Sequence, residues 1–473
     1  MTKILIDMQA CQTESRLRGM GRYAAELAFA MASTPRGHNV HLLLNGCFPA
    51  EAETVQARFS TVMPPGNIHV FEVPDNSDDR APQNRWRNAA AALLRESFID
   101  RLTPDIVFCP SFFEGYIDNS VLSIGRLSDI PVAVTLHDLI PLVYAQNYLE
   151  PNPDFRTHYL TKTDEIRRAR GVITISQASF MDAVNRLGID AGRIVDASEA
   201  ADPMFRPLSM SQPEKDDIAG RYGLRGPFIF YTGGCDPRKN LSRLIASFAM
   251  LRSMTGPPYQ LVLAGSMPTP ERDTLKGEAA ALGMGDDIVL FPGYVNDTDL
   301  VRLYNLAELF VFPSLYEGFG LPCLEAMQCG TPVLAANASS LPEVISMPAA
   351  MFDPLSVPAM ALAMAHVLTD TGFHRRLVAH GLQRARHFSW SRSAAITLDS
   401  LAAWAQAGPS ERAPANYPDH EAQLAAALAR IPPRAGRPSD ADLAGVATIL
   451  AEMARPPADK LYKQSVKQQA TAF

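Results

Sequence analysis

The chain has 473 residues, of which 47% are apolar and 20% are charged, a composition typical of globular proteins that excludes a largely disordered or fibrous chain. At about 150 residues per domain, this length predicts two large domains or three small ones. The formal net charge of −7 argues against a protein that coats nucleic acid, because binding many phosphates requires a basic surface. We therefore expect no nucleic-acid partner.

The cysteines and the N-terminus indicate where the protein resides. No two of the six cysteines have the C-x-x-C spacing of a zinc site, and their scatter is not that of a disulfide scaffold. Met1–Asp7 is predicted to form a strand and not a signal peptide. The charged Asp7 interrupts the apolar stretch, which is too short for the apolar region of a signal peptide. No apolar run approaches the roughly 18 residues of a membrane span. These features favour a cytoplasmic location.

Short apolar runs alternate with amphipathic stretches along most of the chain. In the first half, the runs predict strands at Ile4–Ile6, Val40–Leu44, His69–Val73, Asp105–Cys109, Val132–Leu136 and Val172–Ile175, with helices at Tyr23–Met31 and Gln83–Leu102. In the second half, they predict strands at Phe228–Thr232, Gln260–Ala264, Ile288–Phe291, Leu309–Phe312 and Val333–Ala335, with helices at Leu241–Met254, Asp299–Leu306 and Pro322–Cys329. Such alternation predicts parallel sheets covered by helices on both faces.

The pattern pauses at the proline-rich stretch Ala201–Pro207, which divides the chain into two halves. We therefore predict an α/β fold of two doubly wound domains that face a cleft, where ligands bind at the carboxyl ends of the strands. The proline- and alanine-rich tail Pro409–Phe473 differs from both halves. It predicts helices at Glu421–Ala429 and Ala441–Met453, the second capped by Asp440.

One segment, Pro313–Pro332, places two carboxylates around a glycine loop. Glu317 lies on the loop, a helix is predicted to begin near Leu321 with Pro322 in its first turn, and Glu325 lies one turn further on. Carboxylates accept hydrogen bonds from sugar hydroxyls, and amides at a helix N-terminus donate to phosphate. The spacing therefore predicts a site for a phosphate-linked sugar.

Three more segments place polar residues or glycines after predicted strands. Tyr231–Leu241 joins glycines, which let a backbone approach a ligand, to two cations suited to a diphosphate. Arg18–Tyr23 is a glycine turn that leads into a helix, and Val134–Pro141 ends a strand with a histidine and an aspartate. The candidate residues in these three segments are Gly233, Gly234, Arg238, Lys239, Gly19, Gly21, His137 and Asp138.

Together these segments resemble the retaining glycosyltransferases of the GT-B fold, family 4. Glu317–Glu325 is similar to the family's E-x7-E motif in its E-G-F-G-x-P-x-x-E form, and the Gly233 segment resembles its phosphate-binding loop. Gly265 and the Gly293–Val295 segment fall where family members line the nucleotide. The Arg18–Tyr23 and Val134–Pro141 segments resemble the mannosyl- and rhamnosyltransferase branch, which builds cell-surface polysaccharides such as O-antigens.

The resemblance covers about residues 1–408 and implies how the chain is divided into domains. An acceptor-side domain over residues 1–203 precedes a nucleotide-sugar-binding domain over 204–388, a helix over 389–408 crosses back to the first domain, and 409–473 forms a tail. The partners implied are a nucleotide-sugar donor and a glycan or lipid-linked glycan acceptor. The tail is interpreted first as a solvated or packing appendage, and its lysine cluster, Lys460, Lys463 and Lys467, suggests contact with a membrane surface or a protein partner as the alternative.

The resemblance also implies roles for individual residues. Glu317 would hold the hydroxyls of the donor sugar, Arg238 and Lys239 the diphosphate, Glu325 the ribose, and His137 the sugar near its anomeric carbon. These roles make Glu317, His137, Arg238 and Lys239 the predicted catalytic residues. The remaining predicted substrate-binding residues are Gly19, Gly21, Asp138, Gly233, Gly234, Gly265, Tyr294, Val295, Gly318, Phe319, Gly320 and Leu321.

Several points stay open at this stage. Many family members have arginine where this chain has Gly234, so the diphosphate must rely on Arg238 and Lys239. The first donor hypothesis is GDP-mannose, followed by GDP-rhamnose or a UDP-sugar. A sugar-nucleotide epimerase and a silent scaffold of the same fold are the alternatives to a transferase. We expect no metal or other cofactor, since the D-x-D pairs Asp297/Asp299 and Asp440/Asp442 precede predicted helices, where aspartates act as caps.

Overall fold

The fold is described from a computed structural model. The structure describes residues 1–254, 259–406, 417–432 and 436–453, with the side chains of 417–421 excepted. Within these ranges the chain forms two parallel sheets, each with helices on both faces. The predicted fold class, two doubly wound α/β domains followed by C-terminal helices, is confirmed.

The first sheet has seven strands in the order β3-β2-β1-β4-β5-β6-β7, all parallel. Its strands are β1 Lys3–Asp7, β2 Asn39–Asn45, β3 Ile68–Phe71, β4 Ile106–Cys109, β5 Val132–Leu136, β6 Gly171–Thr174 and β7 Ile194–Asp196. The order reverses between β1 and β4, which in doubly wound sheets is where ligands bind. The edge strand β7 is absent from the sequence prediction because it spans only three residues.

The second sheet has six parallel strands in the order β10-β9-β8-β11-β12-β13. Its strands are β8 Phe228–Thr232, β9 Gln260–Ala264, β10 Val289–Gly293, β11 Leu309–Phe312, β12 Val333–Ala336 and β13 Met351–Phe352. Here the order reverses between β8 and β11. The two segments that carry the predicted diphosphate cations and Glu317 follow these two neighbouring strands, so the topology brings them to one edge.

The helices cover both faces of the sheets. Those of the first domain are α1 Gly19–Ser33, α2 Pro49–Phe59, α3 Arg85–Leu102, α4 Ile140–Val143, α5 Ala145–Tyr148, α6 Pro153–Arg168 and α7 Gln177–Leu187. Those of the second domain are α8 Gln212–Tyr222, α9 Leu241–Met254, α10 Thr269–Ala281, α11 Asp297–Leu306, α12 Leu321–Gln328, α13 Leu341–Ile345, α14 Val357–Thr369 and α15 Thr371–Ala385. The C-terminal helices are α16 Trp390–Gln406, α17 Tyr417–Ala429 and α18 Asp440–Met453.

Both faces of the first sheet are buried, which explains why its strands are mostly apolar. In β1, Ile4 and Ile6 pack on one face in a cluster that includes Tyr23 of α1, while Leu5 packs on the opposite face. The first cluster continues through the second sheet, so the two domains share apolar contacts. Burial on both sides gives each strand more apolar contact than a half-exposed strand receives.

Helix α16 returns from the second domain to pack on the first. Its first residue, Trp390, lies 5.8 Å from Tyr23 between ring centroids. Near its other end, Trp404 covers β6 at Gly171, where a Cβ atom would lie 2.3 Å from the indole ring. The hydroxyl of Ser393 also reaches the carbonyl of Ser198 in the interdomain linker. The chain therefore crosses the cleft twice, once at the linker and once before α16.

The described part of the tail packs against α3. Trp86 and Leu94 of α3 form an apolar cluster with Leu424 of α17 and Ile449 of α18. The Arg87 guanidinium pairs with the Asp442 carboxylate of α18 at 2.5 Å. These two tail helices therefore complete the first domain as a packing appendage. The lysine cluster Lys460, Lys463 and Lys467 lies outside the described residues.

The prediction that Asp440 caps α18 is wrong. The residue before the helix is Ser439, whose hydroxyl accepts the Asp442 amide at 3.2 Å, while the Asp442 carboxylate accepts the Ser439 amide at 2.8 Å. Asp440 is the first residue within the helix. A serine followed three residues later by an acidic side chain satisfies two otherwise free amides, which a single aspartate cap does not.

Candidate active site

Glu317 lies on a loop between β11 and α12. The helix begins at Leu321, as predicted, directly after Gly320. Gly320 has φ +101°, in the left-handed region that favours glycine, and a Cβ atom there would lie 2.5 Å from the Leu341 side chain. A glycine is therefore required to turn the loop into the helix.

Two serines that precede α13 hold this loop in shape. The Glu317 amide donates to the Ser339 hydroxyl at 2.8 Å. The Ser340 hydroxyl lies 3.1 Å from the Glu317 carbonyl and 2.9 Å from the Phe319 carbonyl. These bonds satisfy backbone groups on both sides of Gly318, so they hold in place the backbone that carries the Glu317 side chain.

The Glu317 carboxylate forms ion pairs with both predicted diphosphate cations. Its Oε1 lies 2.6 Å from Lys239 Nζ, and its Oε2 lies 3.0 Å from Arg238 Nη1. Burial by itself would raise the pKa of Glu317, but the charges of Lys239 and Arg238 outweigh it and hold that pKa below its usual range. The structure thus places one buried anion between two cations.

Backbone contacts align the loop that carries these cations. The Asp236 carboxylate accepts the Arg238 amide at 3.1 Å and starts a short turn over Pro237–Lys239. The Leu315 amide donates to the Arg238 carbonyl at 2.7 Å, and Arg238 Nη1 donates to the Tyr316 carbonyl at 2.8 Å. The loops after β8 and β11 are therefore joined, as the strand order requires.

The predicted nucleotide glycines join three neighbouring loops. The Gly233 amide donates to the Ala264 carbonyl at 3.0 Å, and the Gly265 amide donates to the Gly293 carbonyl at 2.8 Å. Gly265 has φ +129°, and a Cβ atom there would lie 2.0 Å from the Gly233 carbonyl oxygen. Glycine is thus required at position 265 because the Gly233 backbone lies too close for a side chain, whereas a Cβ at Gly234 would meet open space.

The two residues after Gly293 differ in exposure. Tyr294 is 74% exposed at the mouth of the loops, while Val295 is only 7% exposed and packs into the core. The side chain of Phe319 is also buried, and its ring lies 5.5 Å from that of Phe388. Of these side chains, Tyr294 is accessible to a ligand, and the contribution of Val295 and Phe319 would come from their backbone.

His137 and Asp138 follow β5 in the first domain. His137 Nε2 lies 2.9 Å from the Pro110 carbonyl, an acceptor, so Nε2 carries the proton. Burial lowers the pKa of His137 to about 4, which keeps the ring neutral. The Asp138 carboxylate accepts the Ile140 amide at 2.9 Å at the start of α4, so part of its hydrogen-bonding capacity is used by the fold.

The two domains meet at Gly318. A Cβ atom on this residue would lie 2.7 Å from the His137 carbonyl oxygen and 3.2 Å from Asp138 Cβ. The Ser176 hydroxyl donates to the Gly318 carbonyl at 2.6 Å, and the Ser179 hydroxyl donates to the His137 carbonyl at 2.6 Å. Two predicted residues of the first domain, His137 and Asp138, are therefore brought against the Glu317 loop.

Further contacts across the cleft support this arrangement. The Glu343 carboxylate of α13 accepts the amides of Gln177 at 2.8 Å and Ala178 at 3.0 Å, at the N-terminus of α7. An anion at a helix N-terminus is favourable because the first amides of a helix have no partner within it. Tyr316 also bonds to Asp182 across the cleft. These contacts hold the site loops of the two domains against each other.

Glu325 lies on α12 and faces the interdomain space. Its Oε2 accepts a hydrogen bond from the Tyr304 hydroxyl at 2.8 Å. Burial raises the pKa of Glu325 to about 7, and Asp297 and Asp202 add to this while Arg22 opposes it. Unlike Glu317, Glu325 pairs with a neutral group, so its charge is not compensated at short range.

Two family profiles match this chain. The profile "Glycosyltransferase Family 4" matches residues 17–196, and the profile "Glycosyl transferases group 1" matches residues 215–384. These ranges contain the second sheet, the first sheet except β1, and the predicted site residues. The chain belongs to the group 1 and Family 4 glycosyltransferases.

Relatives of this glycosyltransferase include mannosyltransferases of Escherichia coli. The serotype-specific mannosyltransferase WbdA is 34% identical over 401 residues, which are 84% of this chain and 48% of WbdA. The O-antigen chain mannosyltransferase B is 32% identical over 254 residues, which are 53% of this chain and 66% of that protein. The chain therefore spans about half the length of the WbdA protein it matches.

Two solved structures share the fold. HepE of Anabaena, solved with UDP and glucose, has a TM-score of 0.60 at 20% identity, over 85% of this chain and all of HepE. A glycosyltransferase of Rickettsia africae has a TM-score of 0.62 at 17% identity, over 86% of this chain and 99% of that protein. Among the described residues of this glycosyltransferase, no helix is both long and apolar enough to cross a membrane.

The structure of the glycosyltransferase corrects the prediction of a glycine turn before α1. Gly19 and Gly21 lie in the first turn of the helix itself. A Cβ atom on Gly21 would lie 2.2 Å from the Ser15 carbonyl oxygen and 2.4 Å from Arg16 Cα, so this glycine is required by close packing of the preceding loop. A Cβ atom on Gly19 would meet open space, and its predicted role toward the substrate stays a prediction.

The prediction that the Asp297/Asp299 pair caps α11 is also wrong. The cap is Asn296, whose side chain accepts the Asp299 amide at 3.0 Å, and both aspartates lie in the first helical turn. Asp297 pairs with Arg22 across the cleft at 2.8 Å, and Asp299 pairs with Arg221 at 2.5 Å. Both carboxylates of this D-x-D pair therefore have a cationic partner.

Several residues at the site of the glycosyltransferase escaped the sequence analysis. Ser176 and Ser179 carry a signal, since a serine directly after a strand is a typical helix cap, and Ser176 does cap α7. Their contact with Gly318 joins the two domains, and no feature of the sequence predicts it. Tyr304 and Glu199 lie in stretches without a motif, and only the fold brings them to the cleft.

Proposed function

We propose that this glycosyltransferase is a retaining hexosyltransferase that transfers mannose from GDP-mannose to a glycan or lipid-linked glycan. The product would be a cell-surface polysaccharide, as the names of the WbdA and O-antigen chain relatives suggest. One observation carries the proposal: Glu317 pairs with Arg238 and Lys239, and the loop of Glu317 contacts the His137 loop across the cleft. A cytoplasmic location, on or near the membrane, follows from the same proposal.

Arg238 and Lys239 would bind the donor diphosphate. Both are cationic and largely buried, and the neighbouring loop aligns Arg238 through its backbone and Lys239 through the Glu317 carboxylate. A diphosphate carries more charge than the Glu317 carboxylate and would compete for them, with the start of α12 after Gly320 as a further donor of hydrogen bonds. As the bond to the sugar breaks, negative charge grows on the departing diphosphate, and preorganised cations stabilise it.

Glu317 would act on the other side of the breaking bond. The sugar ring gains positive character in the transition state, and a carboxylate held beside it is worth more then than in the ground state. Glu325 would bind the ribose, which does not change during the reaction. The two glutamates would therefore contribute to different kinetic constants.

His137 would face the donor sugar from the first domain as a neutral group. Its Nε2 proton is directed to the Pro110 carbonyl, which leaves Nδ1 as the hydrogen-bond acceptor. A neutral ring with a pKa near 4 does not supply a positive charge at physiological pH. We therefore assign it to hydroxyl contact and positioning.

We further propose that the transfer needs no metal ion. Asp297 and Asp299 are engaged by Arg22 and Arg221, so binding a cation there would break two ion pairs. In the described part of the chain, no group of three metal-ligating side chains converges. The charge of the leaving diphosphate would be met by Arg238 and Lys239 instead.

The test begins with a thermal-shift panel of GDP, UDP, dTDP and ADP. A ligand present at 100 times its Kd stabilises the folded protein by about 2.7 kcal/mol, so GDP is expected to give the largest shift. Incubation with GDP-mannose and an α-mannose oligosaccharide is then expected to release GDP and lengthen the oligosaccharide. Release of no GDP would refute transfer from GDP-mannose, and conversion of GDP-mannose without any acceptor would indicate an epimerase.

A further inference from the structure

A cavity of about 210 Å³ lies between the two domains beside the linker. We call it the interdomain cavity. It is lined by Arg22 and Tyr23 of α1, Glu199 of the linker, Glu325 of α12 and Trp390 of α16. Pockets for drug-sized ligands occupy about 300–1,000 Å³, so this space is suited to a smaller group, such as one sugar ring.

Glu199 differs from the other acidic side chains on the cavity wall. It is 6% exposed, and none of the described residues forms a hydrogen bond or an ion pair with its carboxyl group. The other acidic side chains of the wall each have a partner: Glu26 has Arg58, Asp202 has the Met204 amide, Asp297 has Arg22, and Glu325 has Tyr304. A buried carboxyl group without a partner destabilises the fold unless a ligand satisfies it.

The surroundings of Glu199 favour a polar but uncharged ligand. Burial raises the pKa of Glu199 to about 8, and the charges of Asp138 and Glu325 add to the effect. Near neutral pH the group therefore carries a proton and both donates and accepts hydrogen bonds. A cation is a poor fit, because the described residues hold no cluster of three metal-ligating side chains and Arg22 lines the same wall.

The remaining wall adds an apolar surface. The rings of Tyr23 and Trp390 lie 5.8 Å apart, and Leu321 and Phe205 complete this side. The indole Nε1 of Trp390 is also without a hydrogen-bond partner. A ring that presents C–H groups on one side and hydroxyls at its edge matches aromatic walls combined with an acid and an arginine.

We propose that the interdomain cavity binds one hydroxylated sugar ring and that the Glu199 carboxyl group hydrogen-bonds a hydroxyl of that ring. The inference rests on the proposed function and extends it to a residue outside the E-x7-E motif. Two sources supply such a ring: the ribose of the donor nucleotide, which Glu325 would contact, and a sugar residue of the acceptor.

The experiment compares Glu199→Leu and Glu199→Gln with the wild-type chain. Calorimetric titration measures the Kd of GDP and of an α-mannose oligosaccharide, and differential scanning fluorimetry measures the Tm. Glu199→Leu is expected to raise one Kd tenfold or more while its Tm stays equal or rises. A raised Kd for GDP assigns the ribose, and a raised Kd for the oligosaccharide assigns the acceptor. Glu199→Gln keeps both kinds of hydrogen-bonding atom and is expected to lose less.

Glu96→Leu is the matched control. Glu96 is also buried, at 3% exposure, but its carboxylate accepts bonds from Ser123, Leu127 and Ser128 within the first domain. Its replacement is expected to lower the Tm and leave both Kd values unchanged. If Glu199→Leu leaves both Kd values unchanged, whether its Tm falls, stays equal or rises, the inference is overturned. A wild-type chain that binds oligosaccharide but neither binds a nucleotide nor transfers a sugar contradicts the proposed function instead, while the Glu199 comparison still gives its result.

Discussion

Replacing Glu317 with glutamine tests the central electrostatic arrangement. The substitution removes one negative charge from between Lys239, at 2.6 Å, and Arg238, at 3.0 Å, while it keeps the size of the side chain. Removing one partner of a buried ion pair costs about 3–5 kcal/mol, because the remaining charge stays buried and unpaired. For a domain of 150–250 residues, this corresponds to a Tm lower by about 6–20 °C.

The same variant is expected to bind the nucleotide more tightly but to react more slowly. Without Glu317, the diphosphate becomes the counter-charge of both cations, so the Kd of GDP should fall about tenfold or more and GDP should restore much of the lost Tm. At the same time, kcat should fall about 10²-fold or more, because the anion beside the developing positive charge is absent.

Calorimetric titration of GDP, thermal unfolding with and without GDP, and steady-state kinetics measure these three effects. Glu325→Gln is the control, since the Glu325 carboxylate bonds to the neutral Tyr304 hydroxyl and not to a buried cation. An unchanged Tm together with unchanged or weaker GDP binding in Glu317→Gln would refute the competition between carboxylate and diphosphate.

The remaining predictions concern binding, closure, metal, pH and the tail. Glu325→Gln should mainly raise the KM of the donor and the Kd of GDP, measured by kinetics and calorimetry, because the ribose is unchanged in the reaction. Gly318→Ala should lower kcat/KM about 10²-fold with each domain still folded, since its Cβ would lie 2.7 Å from the His137 carbonyl and separate the domains. Activity should persist in excess EDTA, and loss on chelation with recovery on adding Mn²⁺ or Mg²⁺ would contradict metal independence. Folded Glu199 keeps its proton up to about pH 8, whereas an unfolded glutamate loses it near pH 4.5. The free energy of unfolding should therefore fall as the pH rises between these values, by up to about 1.4 kcal/mol per pH unit. In urea titrations, the free energy of unfolding of Glu199→Gln should depend less steeply on pH. Truncation after Gly408 should lower the Tm by uncovering the α3 cluster, with the Kd of GDP nearly unchanged.

The sequence by itself determined the class of fold and the elements of the site. Apolar runs such as Val132–Leu136 predicted buried parallel strands because both of their faces are covered, and Gly320 with Pro322 predicted where α12 begins. These features are local: turn chemistry, helix boundaries and strand burial depend on a few neighbouring residues. Glu317 and Glu325 were found for the same reason, since their spacing is read along one short segment.

Only the tertiary structure decided how these elements meet. The resemblance predicted Gly21 as a substrate-binding residue, and the structure adds a second reason for a glycine there: its lack of a Cβ admits the backbone at Ser15, a contact that no periodicity encodes. Glu317 was assigned to a sugar, and only the joined loops reveal that it also neutralises Lys239. Glu199 has no motif and acquires its raised pKa from burial between two domains. Long-range burial and charge depend on residues far apart in the chain, so they follow from the assembled fold and not from local sequence.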